Sequence, residues 1–289
     1  MFRWEKEIPY EEAIANEPQE SFVVIDGQRV HAVDSGEGTA LVMLHGFASS
    51  AHSFRFLREP LSVTHRLIAF DLNGFGLTQR PHQSEDYCIE HQSDLIAQVL
   101  AEKGIEQFCL MGHSYGAVVS SCIAERYPEK VLKIILVSPP EEFAGEVPWY
   151  LRGKLGTRLA ILMLWLLLSN AEKFHRLSSR AVYHNESLTR EVSNHYRQSM
   201  LVEGFRSACL GLMEAFGKHR ASMIRYEAIA QPVLIISGEQ DAVVSPDNIA
   251  AVAGMIAHAS VVTVPECGHC PPEEQPDAVI EVTLQFLAS

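Results

Sequence analysis

Short apolar runs alternate along this chain with longer amphipathic stretches, and that alternation constrains the fold more than any other feature. Continuous runs of four or five apolar residues read as strands buried on both faces. Strands separated by helices read as a parallel sheet with helices on both sides. Residues 21–25 and 29–33, joined by Asp26-Gly27, predict an opening hairpin, because Asp-Gly suits a tight turn. Strands are expected at 40–44, 67–70, 108–111 and 133–137, and a helix at 90–103 with Gly104 as its stop. After Pro140 the pattern changes: residues 141–230 hold helical stretches and no strand-like run. Strands resume at 233–236 and 261–264, and a closing helix is expected near 276–287. The chain therefore reads as one α/β core, 21–140 and 231–289, interrupted by a helical insertion at 141–230. Residues 1–20 read as a peripheral arm.

Composition narrows the function classes. The 289 residues carry a formal net charge of −13, which argues against a broad basic surface for nucleic acid or an anionic membrane. The six cysteines do not form a disulfide framework in a chain of this length. Cys267-Gly268-His269-Cys270 lacks the second half that a zinc site of this spacing needs, so no metal is assigned. The N-terminus has no apolar signal-peptide core, and the longest apolar stretch, 159–168, is half of what a membrane-spanning helix requires. A cytoplasmic location is expected.

The chemistry centres on Gly112-His113-Ser114-Tyr115-Gly116. An apolar strand leads into this G-x-S-x-G and a helix follows, which would put Ser114 at the apex of a strained turn. Serine is a poor nucleophile near neutral pH and needs a base, and the base needs an orienting acid. His269 follows a predicted strand and precedes Pro271-Pro272, so it lies where open α/β sheets gather their sites. Asp241 sits just past another strand end, with Glu239 and Asp247 as nearby competitors. The chain order Ser114, Asp241, His269 is that of the α/β-hydrolase triad. Val42-Met43-Leu44-His45-Gly46-Phe47 is a strand running into His-Gly, and the backbone N–H groups of Phe47 and Tyr115 are the expected oxyanion donors.

On these segments the chain resembles the α/β-hydrolase superfamily, in its capped branch of esterases, carbon–carbon bond hydrolases, epoxide hydrolases and haloalkane dehalogenases. The resemblance rests on His45-Gly46-Phe47-Ala48, on 71–78, on the Ser114 pentapeptide, on Gly238-Glu239-Gln240-Asp241 and on 268–276, in family order. It departs at Ala117, where many members have a second glycine, and at Asn73, where an arginine is common. It implies a mostly parallel eight-stranded sheet flanked by helices, with 141–230 as a helical cap over the nucleophile. The Asp71 motif is read as structural. Dehalogenases and epoxide hydrolases place an aspartate at the elbow, so Ser114 implies acyl chemistry without a cofactor. The expected activity is hydrolysis of a small to medium hydrophobic carboxylic ester. Carbon–carbon bond hydrolysis in a β-diketone-like substrate, or ligand binding on a non-catalytic scaffold, are the alternatives. Among the apolar cap residues, Trp149 and Trp165 are the expected substrate contacts.

Overall fold

The computed structural model describes residues 7–81, 83–141, 153–184, 186–218 and 225–289. Eight strands form one sheet: β1 (Phe22–Ile25), β2 (Gln28–Ser35), β3 (Ala40–Leu44), β4 (Arg66–Phe70), β5 (Phe108–His113), β6 (Val131–Val137), β7 (Val233–Gly238) and β8 (Ala259–Val264). Their order is β1-β2-β4-β3-β5-β6-β7-β8, antiparallel at β1–β2 and β2–β4 and parallel from β4 to β8. The expected fold class is the observed one.

The sheet is covered on both faces because its strands alternate between two cores. Val42 and Leu44 of β3 join Leu110 of β5 in one apolar cluster, with Val118 and Val119 of the helix that follows Ser114. Leu41 and Met43 join Cys109 and Met111 in the other, with Leu57 and Val279. All four β3 side chains from Leu41 to Leu44 are fully buried. At roughly 1.5–3 kcal/mol for each large apolar side chain, this central strand anchors the fold. Helices α3 (Ile89–Glu102), α4 (Tyr115–Arg126) and α9 (Pro246–Met255) supply the first face, and α2 (Arg55–Ser62) and α11 (Pro276–Ala288) the second.

Several strands are longer than their apolar runs. β5 continues through Gly112 and His113, and β8 starts at Ala259, because register partners, not side-chain character, set where a ladder ends. Between β6 and β7 the described residues form α5 (Gly153–Leu168), α6 (Ala171–Ser178), α7 (Arg190–Met200) and α8 (Phe205–Lys218). Trp165, Leu168, Phe174, Tyr196 and Phe205 make their shared core. Ala48 and Cys270, from the loops after β3 and β8, pack against that cluster, so the helices lie over the carboxyl ends of the strands. On α5, Leu159, Leu162, Met163 and Leu166 face outward instead.

The arm differs from expectation. Ile8 pairs with Val202 as a parallel bridge, and the short helix α1 (Tyr10–Ala13) brings Tyr10 into a buried cluster with Ile14 and Val202. The Tyr10 hydroxyl donates to the Leu77 carbonyl at 3.1 Å and its N–H donates to Glu203 at 3.0 Å. Residues 7–14 thus strap the insertion to the core. Tyr10 and Ile14 are an i, i+4 pair, and the hydrogen-bond partners of Tyr10 lie 67 and 193 residues away in the chain, so nothing local announces their burial.

Candidate active site

β5 ends in a turn that only a particular packing permits. Ser114 has φ +51° and ψ −112°, a left-handed conformation that costs a non-glycine residue on the order of 1–3 kcal/mol. The turn closes because Ser114 N–H donates to the Val137 carbonyl at 2.8 Å, and its own carbonyl accepts from Ala117 N–H at 2.9 Å. The flanking glycines leave no room for a side chain: a Cβ at Gly116 would lie 2.0 Å from the Leu44 carbonyl oxygen, and one at Gly112 would lie 2.3 Å from the Gly116 oxygen. Backbone contact with β3 therefore forces the apex outward, and α4 begins at the next residue, Tyr115.

Three side chains from three strand ends converge there. His269 Nε2 lies 3.1 Å from Ser114 Oγ, and His269 Nδ1 lies 2.9 Å from Asp241 Oδ2. An ionised carboxylate only accepts, so Nδ1 carries the proton and Nε2 is left to accept from the serine hydroxyl. The second Asp241 oxygen accepts from the N–H groups of Val243 at 2.8 Å and Val244 at 2.9 Å. Burial opposes the Asp241 charge, but the hydrogen bond and Coulombic pull of His269, with these two N–H groups, hold its pKa below the usual carboxylate value. Of its competitors, Glu239 is exposed and accepts from the Gln240 side chain, and Asp247 lies in the first turn of α9.

The loop after β3 passes beside Ser114. A Cβ at Gly46 would lie 3.3 Å from Ser114 Cβ, which puts the Gly46–Phe47 segment against the elbow. His45 shapes that segment: its Nε2 accepts from Leu72 N–H at 3.0 Å and its Nδ1 donates to the Gly46 carbonyl at 2.7 Å. Phe47 is half exposed, its ring edge-on to Phe75 at 5.1 Å. Trp165 is buried in the apolar cluster of the insertion, 6.2 Å from the Phe205 ring and under the Arg206 guanidinium. Trp149 lies outside the described residues.

Some participants carried no signal strong enough to read in the sequence. His113, a variable position in the pentapeptide, is buried, and its Nε2 donates to the His269 carbonyl at 2.7 Å. Burial, then repulsion from His269, pushes its pKa down to about 3, so it is a neutral strut under the loop. Glu274 is a buried carboxylate that grips the same loop from both sides of His269, accepting from Gly268 N–H at 3.0 Å and Cys270 N–H at 2.9 Å. It also accepts from Tyr183 N–H of the insertion at 2.7 Å, while His269 N–H donates to the Ala181 carbonyl at 2.8 Å. Next to it, Glu273 bonds Arg55 of α2 and Tyr196 of α7. Two acids directly after Pro271-Pro272 were the only visible cue, and acids in a first helical turn are ordinary.

With this geometry in view, residues 39–276 match the family model described as alpha/beta hydrolase fold. The chain belongs to that family. Among similar proteins, this alpha/beta hydrolase is 25% identical to Lipase 1 of Psychrobacter immobilis, over 94% of this chain and 85% of the relative. It is 24% identical to 2-hydroxymuconate semialdehyde hydrolase of Pseudomonas sp. (strain CF600), over 92% of this chain and 93% of the relative. The solved structure of 2-hydroxy-6-oxo-6-phenylhexa-2,4-dienoate hydrolase from Rhodococcus sp. strain RHA1 shares the fold, with a TM-score of 0.79 at 21% identity over 93% of this chain and 98% of that one. Among the described residues, no helix is long and apolar enough to cross a membrane.

Proposed function

We propose that this alpha/beta hydrolase is a carboxylic ester hydrolase that works through an acyl-enzyme on Ser114. The observation that carries the reading is the continuous hydrogen-bond chain from Ser114 Oγ through His269 to Asp241, at 3.1 and 2.9 Å, with the serine held at a strained apex. Ser114 Oγ attacks the ester carbonyl carbon while His269 Nε2 takes its proton. Asp241 stabilises the imidazolium so formed. The backbone N–H groups of Phe47 and Tyr115 receive the oxyanion. As the tetrahedral intermediate collapses, the C–O bond breaks and His269 returns its proton to the leaving alcohol. Water, deprotonated by His269, then releases the acid and frees Ser114. A serine rather than an aspartate at the elbow favours this acyl route over attack on an alkyl carbon. The helices of 141–230, apolar toward Ala48 and Cys270, act as the cap and favour a hydrophobic acyl group.

The test is hydrolysis of p-nitrophenyl esters of graded chain length together with labelling by a fluorophosphonate. Wild type should turn over ester and take the label, and Ser114→Ala should lose both, with turnover down by about 10⁴-fold or more. A β-diketone panel hydrolysed faster than every ester would replace the ester reading with carbon–carbon bond hydrolysis. Neither turnover nor label would replace it with a binding role.

A further inference from the structure

Charge and exposed apolar surface are both concentrated in the insertion. Residues 152–225 hold 12 of the 23 basic residues and only five of the 36 acidic ones, so the −13 of the whole chain hides a basic stretch set in an acidic remainder. The bias is steepest at 152–180, where Arg152, Lys154, Arg158, Lys173, Arg176 and Arg180 are set against one acid, Glu172. Glu172 is already paired, with Arg190 at 3.1 Å. Lys173, Arg176 and Arg180 are exposed and form no salt bridge among the described residues.

The apolar surface lies on the neighbouring helix. Trp165 and Leu168 turn one side of α5 into the core of the insertion. The other side presents Leu159, Leu162, Met163 and Leu166, spaced i, i+3, i+4, i+7 and each 40% to 60% exposed. No acidic residue occurs in α5. After Ser169-Asn170, α6 buries Phe174 in the same core. Lys173, Arg176 and Leu177 repeat the i, i+3, i+4 spacing on its outer side, with Arg180 just past its end. An aliphatic stripe beside unpaired cations marks a surface made for contact. A second copy of this chain fits poorly. Four half-exposed side chains offer well under the roughly 800 Å² per partner that a stable interface buries, and two such faces would bring like charges together. A lipid headgroup layer asks less area: a helix lying in it sinks its apolar side by about 5–10 Å while lysines and arginines meet anionic headgroups.

We propose that the outer faces of α5 and α6 dock this protein on an anionic phospholipid surface, with the Leu159–Leu166 stripe entering the headgroup layer and Lys173, Arg176 and Arg180 meeting lipid phosphates. The test is co-sedimentation of the full-length protein with vesicles of phosphatidylcholine containing roughly 30% phosphatidylglycerol, and with vesicles of phosphatidylcholine alone. Binding is expected to the anionic vesicles, falling about tenfold or more on the neutral ones and weakening as salt is raised. Leu162→Glu with Met163→Glu should weaken binding by about tenfold or more. Lys173→Gln with Arg176→Gln should do so by on the order of tenfold. Val24→Glu with Val63→Glu adds the same charge at two exposed valines of the core, and should change binding by no more than about threefold. All the substituted side chains are exposed, and circular dichroism would verify that each variant is folded. No binding to the anionic vesicles at about 50 mM salt overturns the proposal. So does an equal loss in the valine control, or a dimer in sedimentation velocity that Leu162→Glu with Met163→Glu dissociates, which would assign the stripe to a second copy of this chain.

Discussion

The molecule contains two aspartate–histidine pairs built alike, of which one reaches a serine hydroxyl. Asp241–His269 and Asp71–His31 each join a carboxylate just past a strand end to Nδ1 of a buried imidazole, at 2.9 and 2.7 Å. Their surroundings separate them. Asp241 spends its other oxygen on the local turn at Val243 and Val244, and its histidine aims Nε2 at Ser114. Asp71 also collects N–H groups from Ala51 at 2.7 Å and Leu77 at 2.8 Å, tying together three segments, and its histidine aims at no hydroxyl. The pair by itself is therefore not a catalytic device. In the function proposed here, a serine on a rigid apex makes it one, and a carboxylate shared among backbone segments makes it a clamp.

The largest expected effect breaks this comparison in two directions. Asp241→Asn should lower kcat for ester hydrolysis by about 10⁴-fold with a nearly unchanged denaturation midpoint, because it disturbs the tautomer that His269 needs. Asp71→Asn should do the reverse. It removes a buried charge whose partners remain, costing about 3–5 kcal/mol in urea unfolding, while the folded fraction keeps kcat within a few-fold. Equal losses of activity from both would erase the distinction.

A second measurement sharpens it through pH. His113, beside His269, has its pKa depressed by burial to about 3 against an unfolded value near 6.5. As pH falls below 6.5 the unfolded chain takes up a proton that the folded one refuses, so stability drops by about 1.4 kcal/mol per pH unit for this group. His31 has the opposite sign. Its folded pKa is raised, so its contribution is complete below pH 6.5 and is lost as pH rises through the folded value. Urea midpoints from pH 4.5 to 8.5 should thus show an acid-side slope that flattens in His113→Leu, while the loss above pH 6.5 persists there.

The smallest effect concerns the apex alone. Ser114→Gly should raise unfolding stability by about 1 kcal/mol while abolishing turnover, because glycine adopts φ +51° without strain. An unchanged or lower stability would mean that the serine hydroxyl contributes more to the fold than its backbone costs.

Much of this arrangement is legible in the sequence. The strand runs, the Asp26-Gly27 turn and the G-x-S-x-G elbow are local patterns: continuous apolar runs, a turn dipeptide and glycines spaced about a serine are properties of neighbours in the chain. Asp241 is preferred to Glu239 and Asp247 from its place in the sequence, while its contact with His269 depends on how β7 and β8 align. His113, Glu274 and the arm residues Tyr10 and Ile14 left no local trace, because each has a defining partner more than sixty positions away: His269 for His113, Tyr183 for Glu274, Leu77 for Tyr10 and Val202 for Ile14.

The sequence by itself determined the class of fold, the order of its strands and helices, and the residue types needed to activate a serine. Tertiary structure alone decided that a second, similar aspartate–histidine pair exists, which of the two meets a hydroxyl, and how the arm and insertion pack on the core. The reason is physical. Backbone geometry and apolar periodicity are short-range and written in adjacent residues, whereas a hydrogen-bond chain across β5, β7 and β8 exists only once long-range sheet register has been set.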